Sequence, residues 1–291
     1  MTLPTLERID ERIRHAQANG VLHVIETQQT YLAEQGIDFL IRWASSLAAK
    51  DRAMRRPEDA GVRAAAAQGA ARSPFLPPES TLTLGPAGAE HWLVLNKFPV
   101  IQRHLLIVTR TFRDQRDALT SADFAALAGL LEQLGGVGFY NGGTAAGASQ
   151  QHKHLQWIPE SPQSACWQRL TGALDATLPA LTTARHPHFA WRHAFVRLDS
   201  ATLASGALLH SAFARGCAAC ALQPQAAPMP PYNLLLNREW MLVLPRSRED
   251  FEGVSINALG FAGSLFVRQP EEIERIRAVG PLAVLAHVAC A

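Results

Sequence analysis

The chain has no large excess of either charge. Its 27 Lys and Arg stand against 25 Asp and Glu, a net of +2 with 11 His taken as neutral, in 291 residues. No general basic field is available for nucleic acid, so an anionic ligand must be held by local groups. Long apolar runs are also missing: none reaches the ~18 residues of a membrane span. Met1–Arg14 is polar and charged and lacks the apolar stretch of a signal peptide. A soluble, cytoplasmic protein with no membrane association is the expectation. Cysteine is scarce, with four residues: Cys166, Cys217, Cys220 and Cys290. Cys217-Ala218-Ala219-Cys220 has no second CxxC, so zinc would need ligands from elsewhere in the chain. Reduced structural thiols are expected. At 48% hydrophobic residues, the chain can build one large core or two small ones.

What is present reads as a series of short elements. Leu6, Ile9 and Ile13 fall at helical spacing, and Gly20 closes that helix. Phe39–Lys50 reads as a second helix or mixed segment, and Asp51–Arg72 as irregular. Ser73–Glu79 carries Pro74, Pro77 and Pro78 and must be an extended loop. His91–Leu95 and His104–Thr109 read as strands around Asn96-Lys97-Phe98-Pro99. Thr120 caps a helix with an early acid at Asp123. Its apolar stripe is Phe124, Leu127, Leu130, Leu131 and Leu134, and Gly135-Gly136 stops it. A strand at Val137–Tyr140 runs into the small-residue loop Asn141–Ser149, and a second strand follows at Gln151–Pro159.

Further on, helices are expected to about Pro179 and a strand within His186–Leu198, where Pro187 turns the histidines into a surface cluster. Pro224–Pro231 reads as a loop. Tyr232–Leu236 and Trp240–Arg246 form a hairpin, Asn257–Gly263 a glycine-spaced turn, and Glu271–Val279 and Leu282–Cys290 helices. There is no short-period repeat. The pattern is α+β with a largely antiparallel sheet.

The chemistry concentrates at Gln151–Pro159. As a strand, it puts His152, His154 and Gln156 on one face and Lys153, Leu155 and Trp157 on the other. Such a polar row is costly to bury unless it meets a polar partner. The loop before it has little side-chain bulk, so backbone N–H groups can approach a phosphate. Three readings stay open for the histidines. They are a metal pair, for which Glu160 is the nearest acid; two half-buried structural histidines; or a nucleophile at phosphorus, since an imidazole near its usual pKa of about 6.5 is largely neutral at pH 7. Trp157 and Phe98 are core residues or walls of a base pocket. Arg110 and Arg246, at strand ends, are phosphate ligands or surface charges.

His152-X-His154-X-Gln156, preceded by Asn141, Gly147 and Ser149, resembles the transferase branch of the histidine-triad superfamily, in which hydrolases usually carry a third His where Gln156 stands. Ser73–Glu79, Asn96–Pro99, His104–Arg110, Gly147–Gln156, Tyr232–Leu235, Trp240-Met241 with Pro245-Arg246, and Asn257–Gly263 occur in the order found in the diadenosine tetraphosphate phosphorylase (ATP adenylyltransferase) family. That resemblance covers about residues 35–270. It implies a histidine-triad-like, galactose-1-phosphate uridylyltransferase-like fold, with a catalytic part at 1–175 and a part completing the substrate pocket at 176–291.

It also implies the activity, cleavage of diadenosine tetraphosphate by phosphate to ATP and ADP, with His154 carrying AMP, His152 orienting it and Gln156 bonding the α-phosphate or the bridge oxygen. Asn96, Lys97, Asn141, Gly147, Ala148, Ser149, Gln150, Asn257, Ala258 and Leu259 match substrate-contacting positions, and Lys50 matches a lysine that reaches the polyphosphate. Ser264 and Arg268 stand where relatives can carry Met and Lys, and Arg keeps the charge of Lys without its hydrogen-bond geometry. No tightly bound cofactor or protein-held metal is implied; Mg²⁺ would ride on the polyphosphate. The partners implied are small nucleotides and phosphate, acting on a monomer. A sugar-1-phosphate nucleotidylyltransferase usually has Pro between the histidines and Gly before the Gln, where this chain has Lys153 and Leu155. A nucleotide-binding protein without turnover is the remaining alternative.

Overall fold

The computed structural model describes residues 3–43, 73–161 and 165–291. Helix α1 (Leu6–Ala18) starts where the Thr5 hydroxyl accepts the Arg8 N–H, and it buries Ile9. Two antiparallel strands follow, β1 (Gln28–Glu34) and β2 (Ile37–Trp43). The segment expected from Phe39 onward as a helix or mixed structure is therefore a strand as far as Trp43. Its apolar run is too short for periodicity to separate the two states, and pairing on both sides decides: β1 on one edge, and a distant parallel strand, Ser264–Val267, on the other. The rest of that expected segment, with Lys50 and the irregular Asp51–Arg72, lies outside the described residues.

The main sheet has nine strands, antiparallel throughout. Its strands are β3 (Thr83–Pro86), β4 (His91–Leu95), β5 (Leu105–Thr109), β6 (Val137–Gly142), β7 (His154–Ile158), β8 (Thr183–Ala184), β9 (Ala194–Arg197), β10 (Tyr232–Leu236) and β11 (Trp240–Pro245), in the order β3-β4-β5-β7-β6-β10-β11-β9-β8. The pairing of β6 with β10 makes the sheet continuous between the N- and C-terminal parts of the chain.

Helix α2 (Ser121–Leu134) lies on one face. Thr120 and Asp123 form a reciprocal capping box, and Phe124, Leu127, Leu130 and Leu131 are buried. It packs beside α4 (Gly206–Ala219); α3 (Ala165–Thr171) lies between them in the chain. Leu155 and Trp157 of β7 are wholly buried on this side, and the indole N–H donates to Gly135 O. Trp157 is thus core. Gly136 must be glycine, because a Cβ there would sit 2.2 Å from Ile158 O. On the other face of the sheet, a second core takes in Phe139, Leu235 and Leu242 with Phe39 and Ile41 of β2 and Trp167 of α3. The small hairpin β12–β13 (Asp250–Phe251, Val254–Ser255), strand β14 (Ser264–Val267) and helices α5 (Pro270–Val279) and α6 (Pro281–Val288) complete the chain.

Of the two histidines flanking Pro187 that were expected at the surface, His188 is exposed but His186 is buried at 2% exposure, as is His193 further along at 1%. The strand here is confined to Ala194–Arg197, and the preceding loop folds inward. His193 Nδ1 donates to Trp191 O and its Nε2 accepts the His186 N–H, while Phe189 packs on the His186 ring. Each polar atom so engaged removes a cost of burial. Cys217 and Cys220 are also buried. Burial pushes both thiols up to about 12, which keeps them protonated, and Cys220 Sγ donates to Val243 O.

Candidate active site

The strand expected over Gln151–Pro159 is confined to His154–Ile158, with His152 in an isolated bridge to Asp114, but the stretch His152–Trp157 divides its side chains as the sequence predicts. Lys153 points toward α2, where its ammonium meets Asp123 Oδ2 at 3.1 Å and Ala118 O at 2.7 Å. His91 Nε2 holds the other carboxylate oxygen at 2.7 Å. Burial pushes the Asp123 carboxyl up, but the His91 hydrogen bond and the Lys153 charge outweigh it and hold it at about 2. This buried ion pair anchors the back of the histidine strand.

On the opposite face, His154 Nδ1 lies 2.8 Å from His152 O. A carbonyl oxygen can only accept, so Nδ1 carries the proton and Nε2 keeps a free lone pair. Its backbone N–H donates to Gln115 Oε1 at 2.8 Å. Burial drives the His154 pKa down to about 4, against the pull of the carbonyl bond. The imidazole is thus more firmly neutral than the usual value near 6.5 implies.

His152 has a different task from its neighbour. Its Nε2 lies 2.9 Å from Thr109 O and therefore donates, which leaves Nδ1 to accept from Ser73 Oγ at 2.6 Å. The ring pins the proline-rich loop, whose Phe75 packs against both imidazoles. His152 orients His154 through its main-chain carbonyl, while its ring serves the loop.

The small-residue loop contains a 3-10 turn at Thr144–Ala146 ending in Gly147 at φ 87°. A Cβ on Gly147 would meet Ile256 O at 2.8 Å and Asn257 at 2.9 Å, so glycine lets this loop touch the Asn257 turn. Asn141 joins the two: its Oδ1 accepts from Asn233 Nδ2 and from the Ala258 N–H, each at 2.9 Å. Asn233 also reaches Ala146 O. Behind it, Arg246 donates to Asn233 Oδ1 at 2.5 Å and to Val288 O, Arg248 O and Glu249 O. Arg246 is 3% exposed and ties the C-terminal helices to the loop; it is neither a surface charge nor a ligand on the open side. Arg110 stacks over Trp92 at 4.2 Å and donates to His91 O.

The structure thus brings together His152, His154, Gln156, Asn141, Gly147–Gln150 and Asn257–Leu259. Ala258 and Leu259 are buried, with their N–H groups bonded to Asn141 and Asn257. Ser149 is exposed at the loop surface. Asn96 reaches Gln156 through His104, with Nδ2 to Nδ1 at 3.1 Å and Nε2 to Oε1 at 2.9 Å. Lys97 is exposed, 3.9 Å from Glu79 at the end of the proline-rich loop. Phe98 stacks on His23. Ser264 opens β14, which pairs with β2, and Arg268 directly follows that strand. Among the described residues, Ser264 Oγ has no hydrogen-bond partner, nor do Nε and Nη2 of Arg42 on the adjacent β2, and all three atoms are buried. Among the described residues no group of three or more His, Cys, Asp or Glu is placed to hold a metal ion, so the metal-pair reading of His152 and His154 finds no further ligands there.

Sequence reasoning did not single out Gln115, Asn233 or the role of His104. Gln115 bonds both the N–H and the carbonyl of His154, and also Asn141 O. It sits in a charged loop, Arg113–Asp117, that carries no local signal.

A continuous antiparallel sheet carrying a neutral, hydrogen-bonded histidine beside a small-residue loop suits the class of nucleotidyltransferases to which the histidine motif points. The family model for the Ap4A phosphorylase N-terminal domain matches residues 3–168, and that for the ATP adenylyltransferase C-terminal domain matches residues 187–291. The chain belongs to the Ap4A phosphorylase family. Protein APA1 of Saccharomyces cerevisiae is 28% identical over 92% of this chain and 88% of its own. Diadenosine 5',5'''-P1,P4-tetraphosphate phosphorylase 2 of the same yeast is 27% identical over 93% and 89%. The crystal structure of yeast Ap4A phosphorylase Apa2 superposes with a TM-score of 0.79 at 25% identity, covering 99% of this chain and 98% of that one.

The protonation state yields a pH prediction. With His154 at about 4, its neutral form persists well below pH 6.5. The kcat profile should show no single-proton loss near 6.5 assignable to this group; such a break, absent from a His154 variant's residual rate, would mean a solvated imidazole. Stability follows the opposite limb. For a histidine whose folded pKa is lowered, both states are neutral above 6.5, and between 6.5 and 4 only the unfolded chain takes the proton. His154 and His186, both at about 4, therefore destabilise the fold as pH falls through that window, by up to about 3 kcal/mol each. Melting followed between pH 7 and 4.5 checks this.

Proposed function

We propose that this chain cleaves diadenosine tetraphosphate with inorganic phosphate, giving ATP and ADP in a reversible reaction. His154 Nε2 attacks the phosphorus of one terminal adenylyl group; a P–N bond forms, the bridging P–O bond breaks, and ATP leaves. An oxygen of inorganic phosphate then attacks the adenylyl-histidine, the P–N bond breaks, and ADP forms. The observation that carries this reading is the His154 Nδ1 bond to His152 O, which leaves a lone pair on Nε2 in a buried site. Family membership and the yeast relative named as a diadenosine tetraphosphate phosphorylase support it.

The substrate carries about four negative charges, which require donors that stay in place as charge shifts. Asn141, Gly147–Gln150 and Asn257–Leu259 line the near phosphates in this reading. Asn96 and Lys97 take the nucleotide, and Lys50, Ser264 and Arg268 contact the polyphosphate substrate, as the family resemblance implies. A divalent cation accompanies the polyphosphate as part of the substrate, and the enzyme works as a cytoplasmic monomer. Lys153 is committed to Asp123 on the helix side, in the position where sugar-1-phosphate enzymes usually carry Pro, which favours the dinucleotide reading.

The test is phosphate dependence. Purified protein with diadenosine tetraphosphate should form ATP and ADP only when phosphate is added. ATP plus AMP in its absence would mark a hydrolase and overturn the proposal, and tight binding without product would mark a binding protein.

A further inference from the structure

The hydrogen bonds that end on Gln156 have a direction, and it starts from the main chain. Asn96 Oδ1 accepts the Phe98 N–H at 3.0 Å. An amide has its NH₂ opposite its oxygen, so Asn96 presents Nδ2 to His104 Nδ1, 3.1 Å away. Nδ1 is then the acceptor, and the ring proton sits on Nε2. That N–H donates to Gln156 Oε1 at 2.9 Å. With its oxygen taken, the Gln156 carboxamide turns its own NH₂ away from His104. Gln156 shares the β7 face of His154, and its neighbours in register are Leu106 and Phe139. His104 is 7% exposed, 5.7 Å from the Phe139 ring, and its bond to Gln156 is buried, so that end of the relay is sheltered from competing water.

We infer that His104, set by Asn96, is a positioning residue that fixes the Gln156 amide as a hydrogen-bond donor toward a non-bridging oxygen of the phosphate under attack. This rests on the reading of Gln156 under Proposed function and deepens it. A carboxamide held this way supplies a donor whose strength does not change with pH. It has no proton to release, so the departing polyphosphate leaves as an anion, without a general acid at this position. The third place of the motif is then a fixed electrostatic contact to the phosphoryl group.

The test uses diadenosine tetraphosphate carrying one sulfur on an α-phosphorus, as separate Rp and Sp diastereomers. Sulfur accepts hydrogen bonds poorly, so the wild-type enzyme should prefer one diastereomer strongly. Gln156→Ala should lower kcat by on the order of 10²-fold, the cost of one lost donor at a developing charge, and abolish the preference. His104→Leu should lower kcat at least ~10-fold and remove most of the preference, while Gln156→Ala added to it costs little more. His104→Gln, whose amide N–H reaches the place of Nε2–H, should restore most of both. Thermal melts show that the variants are folded. Should His104→Leu keep the wild-type preference, or lose activity only in step with lost stability, the relay does no positioning and the inference falls. Should Gln156→Ala itself leave kcat and preference intact, the substrate role of Gln156 under Proposed function falls first, and the relay with it.

Discussion

Replacing His154 with asparagine is expected to lower kcat by on the order of 10⁴-fold or more while leaving the protein folded. Asparagine carries an N–H that can reach His152 O in place of Nδ1–H, so the strand and the Gln115 bond to the backbone N–H survive. It has no lone-pair nitrogen where Nε2 stood, and nothing else in the described site can take over a two-step transfer. Asn141 is held by Asn233 and Ala258, and the His152 ring is held by Ser73 and Thr109. Wild-type protein mixed with diadenosine tetraphosphate, without phosphate, should gain the mass of one AMP at His154 and lose it when phosphate is added. The variant should show no adduct and an unchanged melting temperature. Substantial turnover in the variant would remove His154 from the chemistry.

The second large effect lies on the other face of the strand. Asp123→Ala should destabilise the protein by about 3–5 kcal/mol, because it leaves the Lys153 ammonium buried at 3% exposure without its counter-charge. The same change opens the capping box, since Asp123 Oδ2 accepts from the Thr120 N–H and hydroxyl. For a chain of this size the melting temperature should fall by roughly 10 °C. Replacing both partners with apolar residues, Asp123→Leu with Lys153→Met, should recover most of the loss, because no charge is then stranded. A single change that proves neutral in a melting experiment would mean that Lys153 finds water or another acceptor. The Asp123 carboxyl, held at about 2, adds stability that is present above its ordinary 3.8 and is lost as pH falls through 2. Acid titration of the variant should lack that limb.

These two experiments separate the faces of one strand, and that separation was legible in the sequence. Alternation along His152–Trp157 assigns the faces before any partner is known. The α2 cap, its apolar stripe and its glycine stop were equally local, and so was the hairpin of β10 and β11. The state of Phe39–Trp43, read as a helix or mixed segment, stayed open for the converse reason: a short apolar run is compatible with helix or strand, and the partner that settles it, β14, lies more than 200 residues away. The buried histidines His186 and His193 escaped notice because local polarity does not report the hydrogen bonds that offset their burial.

By itself, the sequence determined the α+β pattern and the polar face of the histidine strand, because these depend on periodicity, and its ordered motifs carried the resemblance to a known family. Tertiary structure alone decided which ring nitrogens of the two histidines are engaged. It placed a carbonyl on His154 Nδ1 and a serine and a threonine around His152, and it brought Gln115, Asn233 and Arg246 behind the loop from positions 39, 92 and 100 residues distant from their partners. Hydrogen-bond direction and burial arise only when such segments meet, and these make of two similar imidazoles a loop anchor and a neutral ring with a free Nε2 lone pair.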